Sequence, residues 1–291
     1  MITQDRYKVE YRRAQHEVAP KSTKTAGATP HVKRPLPPPP FPAVAVQLIQ
    51  QMQDPNVSAG DVGKLIELDP SLTASLLRLV NSPFFGMCRQ IANVSDAIMV
   101  LGMGAVRRMM MSLAVATPLR RAEIDPGFAR TQWHHTVSCA ALARRLIKDD
   151  SAASDLAFSA GLLHDMGQVH LMQIHGAAYA ALHAEMSDCD LRALEAERFG
   201  QAHDSLGADL LDAWGLPQAI VDAARHHHAA ELPLSKLTLV QQAVWVANCL
   251  AGSAEDAEQV VKLSPDTLAP VEQAVDEARS EIETLATLLN G

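Results

Sequence analysis

Residues 161–170 read GLLHDMGQVH, which places a histidine and an aspartate side by side within an apolar, helix-forming run. An unpaired polar group in an apolar interior costs a few kcal/mol, and an unpaired charge costs far more. His164 and Asp165 are therefore expected to find partners, to coordinate a cation or to line a cleft. The run around them predicts that the neighbouring segments are core helices.

The same helical pattern extends outward from this stretch in both directions. From Phe41 onward, apolar residues recur at three- and four-residue steps, and no strand-like alternation persists. With 291 residues and 48% hydrophobic content, the chain can build one large or two modest domains. We predict an all-α fold of two helical lobes, residues 41–122 and 123–252, divided near LRRAEIDPGF. An amphipathic helix within residues 253–291 is expected to pack on them.

Capping residues predict where several helices begin and end. Ser58 with Asp61 forms a capping-box pattern, and Asp69 before Pro70 is typical of a helix start. Ser95 is predicted to begin the next helix and Gly102 to end it. Further helices are predicted near 104–117, 127–148, 153–163, 165–174, 176–186, 190–198, 203–213, 217–228, 235–251 and 266–289.

Residues 1–40 form a basic, proline-rich extension. Residues 1–42 hold eight lysines and arginines against three acidic residues, whereas the rest of the chain holds 17 against 30. The segment KRPLPPPPFP favours an extended polyproline conformation, which predicts a linker, although a ligand for another protein's aromatic groove is an alternative. The acidic body gives no reason to expect nucleic-acid binding, since that depends on neutralising phosphates.

The sequence contains few features that indicate a cellular location. No apolar run approaches the roughly 20 residues of a membrane-spanning helix, and no secretory signal opens the chain. The four cysteines form neither a C-x-x-C pair nor an evident disulfide framework. These features predict a cytoplasmic protein without a membrane span.

Most of the twelve histidines fall in the second predicted lobe, in separate segments. Imidazole nitrogens with a carboxylate are the ligands preferred by iron, zinc, manganese and similar divalent metals. Hydrogen bonding among these side chains in the core is the alternative. In the trio 226–228, at most two rings can face a common centre, which leaves the third to solvent.

The order H…HD…H…HH resembles the HD superfamily of metal-dependent phosphohydrolases, most closely its HD-GYP branch and the related HDOD (HD-related output) domain. The HDOD resemblance runs from about Phe41 to about Leu250. It includes DPSLTASLLRLVNSPFFG, WHHTVSCAALA, GLLHDMGQ and HDSLGADLLDAWGLPQAIVDAARHHH.

The resemblance implies a residual metal site in an HD-like helical bundle. It assigns the metal ligands by position to His135, His164, Asp165, His203, His227 and His228. In catalytic relatives the metals activate a water and neutralise phosphoryl charge, with the aspartate bridging two ions where two are present.

Three departures from the catalytic pattern argue against turnover. Gln168 stands where the catalytic branch has a phosphate-binding lysine, and a neutral amide supplies no point charge. No G-Y-P element follows His228, and Asn248 replaces the last carboxylate. HDOD members resemble regulatory output or scaffold domains in bacterial signalling, so we predict a non-catalytic regulatory protein with signalling partners.

Two alternatives remain open. A metal-dependent phosphohydrolase or cyclic-dinucleotide phosphodiesterase would use His164 and Asp165 as its catalytic pair. A nucleotide phosphate could also be received by small basic spots, although a solvated helix face is the commoner explanation of such spots. Those spots contain Arg107, Arg108, Arg120 and Arg121.

Overall fold

Local capping residues determine where the first helices begin. The computed structural model describes residues 41–289 except 52–53, 55, 122, 186–187, 229–233, 253–259 and 261–264, so the predicted extension 1–40 lies outside the described residues. Ser58 and Asp61 form the reciprocal capping box, and the Asp69 carboxylate accepts from the Ser71 and Leu72 amides, as predicted. Each cap satisfies backbone donors that a helix start leaves unpaired.

One predicted cap is wrong. The helix expected to start at Ser95 begins at Val94, and its N-cap is Asn93, whose side chain accepts from the Asp96 amide at 2.7 Å. Asparagine caps as well as serine does, and Asn93 places Asp96 where the two side chains also bond. Gly102 ends this helix at φ +83°, a conformation that favours glycine.

Within the described residues, the first helical group has five α-helices. Helix α5 is buried along most of its length, and it packs on α1–α4 as well as on helices of the second group. The bounds are α1 Ala43–Gln51, α2 Ala59–Glu67, α3 Pro70–Val80, α4 Val94–Leu101 and α5 Met103–Leu119, with a 3-10 turn at Pro83–Phe85.

The second group carries the predicted site. Its helices are α6 Pro126–Leu146, α7 Ser151–Leu163, α8 Met166–His175, α9 Ala177–Glu185, α10 Asp188–Phe199, α11 His203–Ala213, α12 Gln218–His226 and α13 Leu239–Ala251, with a 3-10 turn at Leu234–Lys236. Helices α6 and α7 pack closely together and are covered by α12 and α13, while α8 packs on α11. The predicted helix 217–228 ends earlier, so His227 and His228 lie just beyond α12.

The last helix, α14 Pro265–Ala286, continues into a 3-10 turn at Thr287–Leu289 and packs along α6. The Trp133 indole donates to the Leu285 carbonyl at 3.0 Å, which satisfies a buried donor. Arg108, Arg144 and Arg145 surround Glu281 of α14. Together these contacts attach the end of the chain to α5 and α6.

The predicted all-α class is confirmed, since no strand occurs in the part of the chain that the structure describes. One contiguous cluster of buried apolar side chains runs through both helical groups, from α1 to the end of α14. Among the described helices, none alone is long and apolar enough to cross a membrane; only α4 and α5 taken together, with a 120° bend between them, reach that length and composition.

Candidate metal site

His164 and Asp165 form the turn between α7 and α8, and both are buried. Gly167 allows α11 to approach this turn, because a Cβ at Gly167 would lie 2.0 Å from the His203 carbonyl oxygen. His203 is the first residue of α11, so this close contact brings its ring next to Asp165. His135 comes from α6, and His227 and His228 follow α12.

The two oxygens of Asp165 face different histidines. Its Oδ2 lies 3.4 Å from His135 Nε2 and 3.3 Å from His164 Nε2. Its Oδ1 lies 3.7 Å from His203 Nε2 and 3.2 Å from His227 Nε2. His228 joins the Oδ1 group, whose ligand atoms all lie within 4.8 Å of one another. The structure thus brings all six predicted ligand residues together around one carboxylate.

Backbone carbonyls orient most of these rings. The Nδ1 atoms of His135, His164 and His227 contact the carbonyl oxygens of Ala251, Gly161 and Ala224, respectively. A carbonyl can only accept, so each Nδ1 carries a proton and each Nε2 is directed toward Asp165.

Two pairs of nitrogens approach closely at the centre. Nε2 of His135 lies 3.1 Å from Nε2 of His164, and Nε2 of His203 lies 3.0 Å from Nε2 of His228. Two lone pairs at this distance repel each other unless a proton or a cation lies between them. Asp165 Oδ1 and His227 Nε2 are also buried without a hydrogen-bond partner.

The donor set fits a divalent transition metal. Imidazole nitrogens bind such ions at about 2.0–2.1 Å, which sets neighbouring ligand atoms roughly 2.8–3.4 Å apart at tetrahedral or octahedral angles. Six pairs of ligand atoms here lie 3.0 to 3.7 Å apart, and the ligand atoms of each group all lie within 4.8 Å of one another. The cluster therefore has ligand types and spacings suited to metal binding.

Burial and the central carboxylate shift the protonation of the cluster. Burial opposes the charged form of Asp165, but the neighbouring His164 outweighs it and holds the pKa of Asp165 well below its usual range. Burial also opposes the charge on His164, yet the Asp165 carboxylate raises the pKa of His164 well above normal. Burial lowers the pKa of His227 to about 4. The ring of His227 is therefore neutral at pH 7, as a metal ligand must be.

Three supporting residues were not predicted. Glu195 on α10 is fully buried, and its Oε2 accepts from both the Nδ1 and the backbone amide of His203, at 2.6 and 2.8 Å. The Tyr179 hydroxyl donates to Glu195 Oε1 at 2.7 Å. Gln132 donates to Asp165 Oδ2 at 2.9 Å. A carboxylate behind a ligating histidine is a common support in metal sites.

The residues that depart from the catalytic pattern lie close by. Asn248 donates to the His227 carbonyl at 3.3 Å and also hydrogen-bonds His135. Gln168 is buried, and its Oε1 has no hydrogen-bond partner. The His226 ring contacts the Asp222 carbonyl and Gln241, outside the cluster, rather than facing solvent alone.

Comparison with known proteins shows the family of this chain. Residues 38–230 match the family model described as the HDOD domain. The chain belongs to the HDOD family. This confirms the resemblance seen in the sequence. A curated relative, an uncharacterized protein from Treponema pallidum (strain Nichols), is 24% identical over 196 residues, which cover 65% of this chain and 37% of that protein.

Solved structures share the HDOD fold. An HDOD domain protein of unknown function from Geobacter sulfurreducens superposes with a TM-score of 0.66 at 23% identity, covering 86% of this chain and 92% of that one. A candidate phosphohydrolase from Shewanella amazonensis SB2B gives the same TM-score at 19% identity, covering 86% and 94%. A candidate signal transduction protein from Marinobacter aquaeolei VT8 gives 0.66 at 18% identity, covering 100% and 68%. At these identities the likeness shows the fold alone.

Proposed function

We propose that this HDOD protein is a non-catalytic regulatory or scaffold protein of bacterial signal transduction that holds a divalent iron, manganese or zinc ion. The observation that carries the metal proposal is the convergence of imidazole Nε2 atoms on the two oxygens of one buried carboxylate. When bound, the ion supplies positive charge that links helices from distant parts of the chain. The residues that would hold it are His135, His164, Asp165, His203, His227 and His228.

The surroundings of the cluster favour a regulatory role over turnover. His164, Asp165, His203 and His227 are each no more than 4% exposed, which leaves little access for a phosphodiester. The positive charge of Arg192 acts on the His228 ring. The Arg192 guanidinium is already held in an ion pair with Asp204, with a nitrogen–oxygen distance of 2.7 Å. The neutral Gln168 replaces the lysine that catalytic relatives use for phosphate.

Other signalling proteins are the partners that this role implies. Affinity purification of the full chain from its host, followed by mass spectrometry, identifies them.

A metal-dependent phosphohydrolase is the second candidate. The ion-paired His164 and Asp165, with Nε2 and Oδ2 3.3 Å apart, are the residues that such an enzyme would use. The fold is also shared with a candidate phosphohydrolase. This function requires a phosphate ester to reach the cluster, which four deeply buried side chains disfavour.

Elemental analysis of the tag-free protein tests the metal site. We expect about one equivalent or more of iron, manganese or zinc in the unaltered chain and less than about a tenth in Asp165→Asn, because the variant loses the central negative charge. His226→Gln is the matched control, since His226 neighbours the ligands but contacts Asp222 and Gln241 instead. Metal below a tenth of an equivalent in the unaltered chain after reconstitution with each ion would refute the site.

Activity assays separate the two functions. Metal-loaded protein is incubated with cyclic dinucleotides, mononucleotides and bis-p-nitrophenyl phosphate, and we expect no product above the metal-only blank. Hydrolysis that disappears in Asp165→Ala would establish the phosphohydrolase instead.

A further inference from the structure

Two large apolar side chains lie exposed side by side near the end of α4. Met99 is 74% exposed and Val100 is 46% exposed, whereas the other face of this helix is buried in the core. Helix α5 begins at Met103, beyond the 120° bend at Gly102, and Met103 is itself only partly buried. Single exposed apolar residues are ordinary, whereas neighbouring ones form a patch of the kind that marks an interaction site.

Arg107 lies one turn into α5, and its guanidinium has no acceptor. The residue is only 9% exposed, and its Nε and Nη2 atoms are buried without a hydrogen bond. Within the described part of the chain no acidic side chain pairs with it, and Nη1 is the nitrogen that reaches the surface. Burial lowers the pKa of Arg107, and the charge of Asp155 only partly opposes this. Because an unpaired buried charge is costly, we expect this cation to have an anionic partner.

The carboxylate whose charge reaches Arg107 is held by other arginines. Asp155 Oδ1 lies 3.2 Å from Arg108 Nη1 and 3.9 Å from Arg144 Nε. Arg108 and Arg144 also pair with Glu281, at 3.0 and 3.6 Å. Arg107 therefore stays outside the ion pairs that attach α14.

Helix geometry places the Arg107 head group near the bend. Side chains of an α-helix tilt toward its N-terminus, so the guanidinium lies over the preceding turn, which contains Met103 and Gly104. Asp155 lies at the same turn, because a Cβ at Gly104 would be 3.9 Å from Asp155 Oδ2. The recessed cation is therefore directed toward the end of α5 that adjoins the exposed apolar side chains of α4.

We propose that the bend between α4 and α5 is a docking surface for a segment of a partner protein that carries a carboxylate beside an apolar side chain. The carboxylate accepts from Arg107 Nη1, and the apolar side chain packs on Met99 and Val100. Charge-assisted hydrogen bonds are strong, and a guanidinium whose stem is already packed loses little side-chain freedom on binding. Arginine and methionine are also enriched at protein interfaces.

A protein segment suits this surface better than an anionic membrane does. Lipid headgroups are bound by clusters of protruding lysines and arginines, whereas Arg107 presents a single nitrogen at the surface. A recessed cation is reached more easily by one carboxylate on a shaped partner. The inference rests on the proposed signalling role, which requires a partner protein, but none of its residues belongs to the metal cluster.

Selection of random peptides displayed on phage against the full chain tests the docking surface. We expect the enriched peptides to combine Asp or Glu with apolar residues. Binding of the best synthetic peptide is then measured by fluorescence anisotropy. Met99→Ser and Arg107→Gln are each expected to weaken it by roughly 10-fold. Leu239→Ser and Arg130→Gln, which alter exposed residues on α13 and α6, are the matched controls and are expected to leave the affinity unchanged.

A peptide whose carboxylate is replaced by the amide identifies the contact. It is expected to bind the unaltered chain roughly 10-fold more weakly but to bind Arg107→Gln as the acidic peptide does, because two changes to one interacting pair are not additive. Thermal unfolding checks that Arg107→Gln is folded. Met99→Ser alters an exposed side chain, so it tests the surface even if Arg107→Gln unfolds.

Three results would overturn the proposal. They are the absence of enriched peptides, equal affinity of the best peptide for Met99→Ser and for the unaltered chain, and flotation of the chain with phosphatidylglycerol vesicles that is lost in Met99→Ser. The last result would assign the surface to a membrane. Elemental analysis of the same samples reads the metal site separately, so failure of the docking surface is distinguished from failure of the metal proposal.

Discussion

One carboxylate oxygen of Asp165 faces one group of histidines, and the other oxygen faces a second group. Most of these rings are held in place by a hydrogen-bond acceptor at their Nδ1 atom. The support differs from ring to ring. His135, His164 and His227 rest on backbone carbonyls, which no substitution can remove, whereas His203 rests on the Glu195 side chain. Glu195 is therefore the position at which the orientation of a proposed ligand can be altered without touching the ligand itself.

Replacing this carboxylate is expected to weaken metal binding without abolishing the fold. Glu195→Gln keeps an oxygen for His203 but removes the negative charge that makes the imidazole a better ligand. We expect a loss of roughly 10- to 100-fold in affinity for Zn²⁺, measured by competition with a chromophoric chelator.

The control for Glu195 is Glu197→Gln, an exposed residue on the same helix. Equal zinc affinity in Glu195→Gln and in the unaltered chain would show that Glu195 only fills space. Circular dichroism separates loss of affinity from loss of fold, because an unfolded variant loses its helical signal.

At the scale of the helices, α8 and α11 approach each other so closely at Gly167 that any side chain there would clash. A methyl group at Gly167 would lie 2.0 Å from the His203 carbonyl oxygen, which is backbone and cannot rotate away. Gly167→Ala is expected to lower the free energy of unfolding by about 1–3 kcal/mol or more, as overpacked cores do, and to displace His203. Urea unfolding measures the change.

Gly60→Ala is the control for Gly167→Ala, because Gly60 lies in a helix where an added methyl group meets no backbone. Gly60 lies on α2, and the atom nearest to an added methyl group is Ser58 Oγ at 3.6 Å, an ordinary contact. Alanine is the better helix former by about 1 kcal/mol, so this variant is expected to be as stable as the unaltered chain or more stable. Similar losses in both variants would contradict the role assigned to Gly167.

The order and caps of most helices could be predicted because they depend on residues close in sequence. Asp69 and the Ser58–Asp61 pair act within one turn of the helix that they start. The Ser95 prediction was wrong because two good capping residues lie two positions apart, and the sequence does not show which one leaves its backbone extended. Local competition of this kind is decided by the packing of the whole helix.

The candidate site likewise has one part that could be predicted from the sequence and one part that could not. Its six ligand positions were predicted through the family pattern, but their grouping around the two oxygens of Asp165 depends on how distant helices meet. Glu195 could not be predicted, because LRALEAERF, with its two glutamates and two arginines, has the composition of an exposed helical face. The only available signal is its position eight residues before His203, which indicates no contact by itself.

At the scale of the whole molecule, α14 is attached through Glu281, which is surrounded by arginines of α5 and α6. Its Oε1 lies 3.0 Å from Arg108 Nε, and its Oε2 contacts Arg145 and lies 3.6 Å from Arg144. Burial alone would raise the pKa of Glu281, but these three cations outweigh it and lower the pKa below its ordinary value.

This shift predicts a pH-dependent contribution to stability. Because the pKa of Glu281 is lower in the folded protein, its contribution is complete above the unfolded-state value of about 4.3 and is lost as the pH falls through the folded-state value. Glu281→Gln is therefore expected to lower the free energy of unfolding by roughly 1.5–3 kcal/mol at pH 7, with a smaller difference below pH 4. Urea unfolding at both pH values measures it.

Glu283→Gln is the control, since Glu283 is exposed on the same helix. A Glu281→Gln effect that is identical at pH 7 and at pH 3 would contradict the proposed charge pairing. An effect at pH 7 no larger than that of Glu283→Gln would show that the arginines do not hold α14.

The apolar core has a consequence for any attempt to divide this chain. Side chains from both helical groups belong to one contiguous cluster, and α5 has partners in both. A half cut off between α5 and α6 would expose to water the face that the other half covers, and apolar area removed from water is the main source of folding free energy. Neither half is therefore expected to fold stably when it is separated from the other.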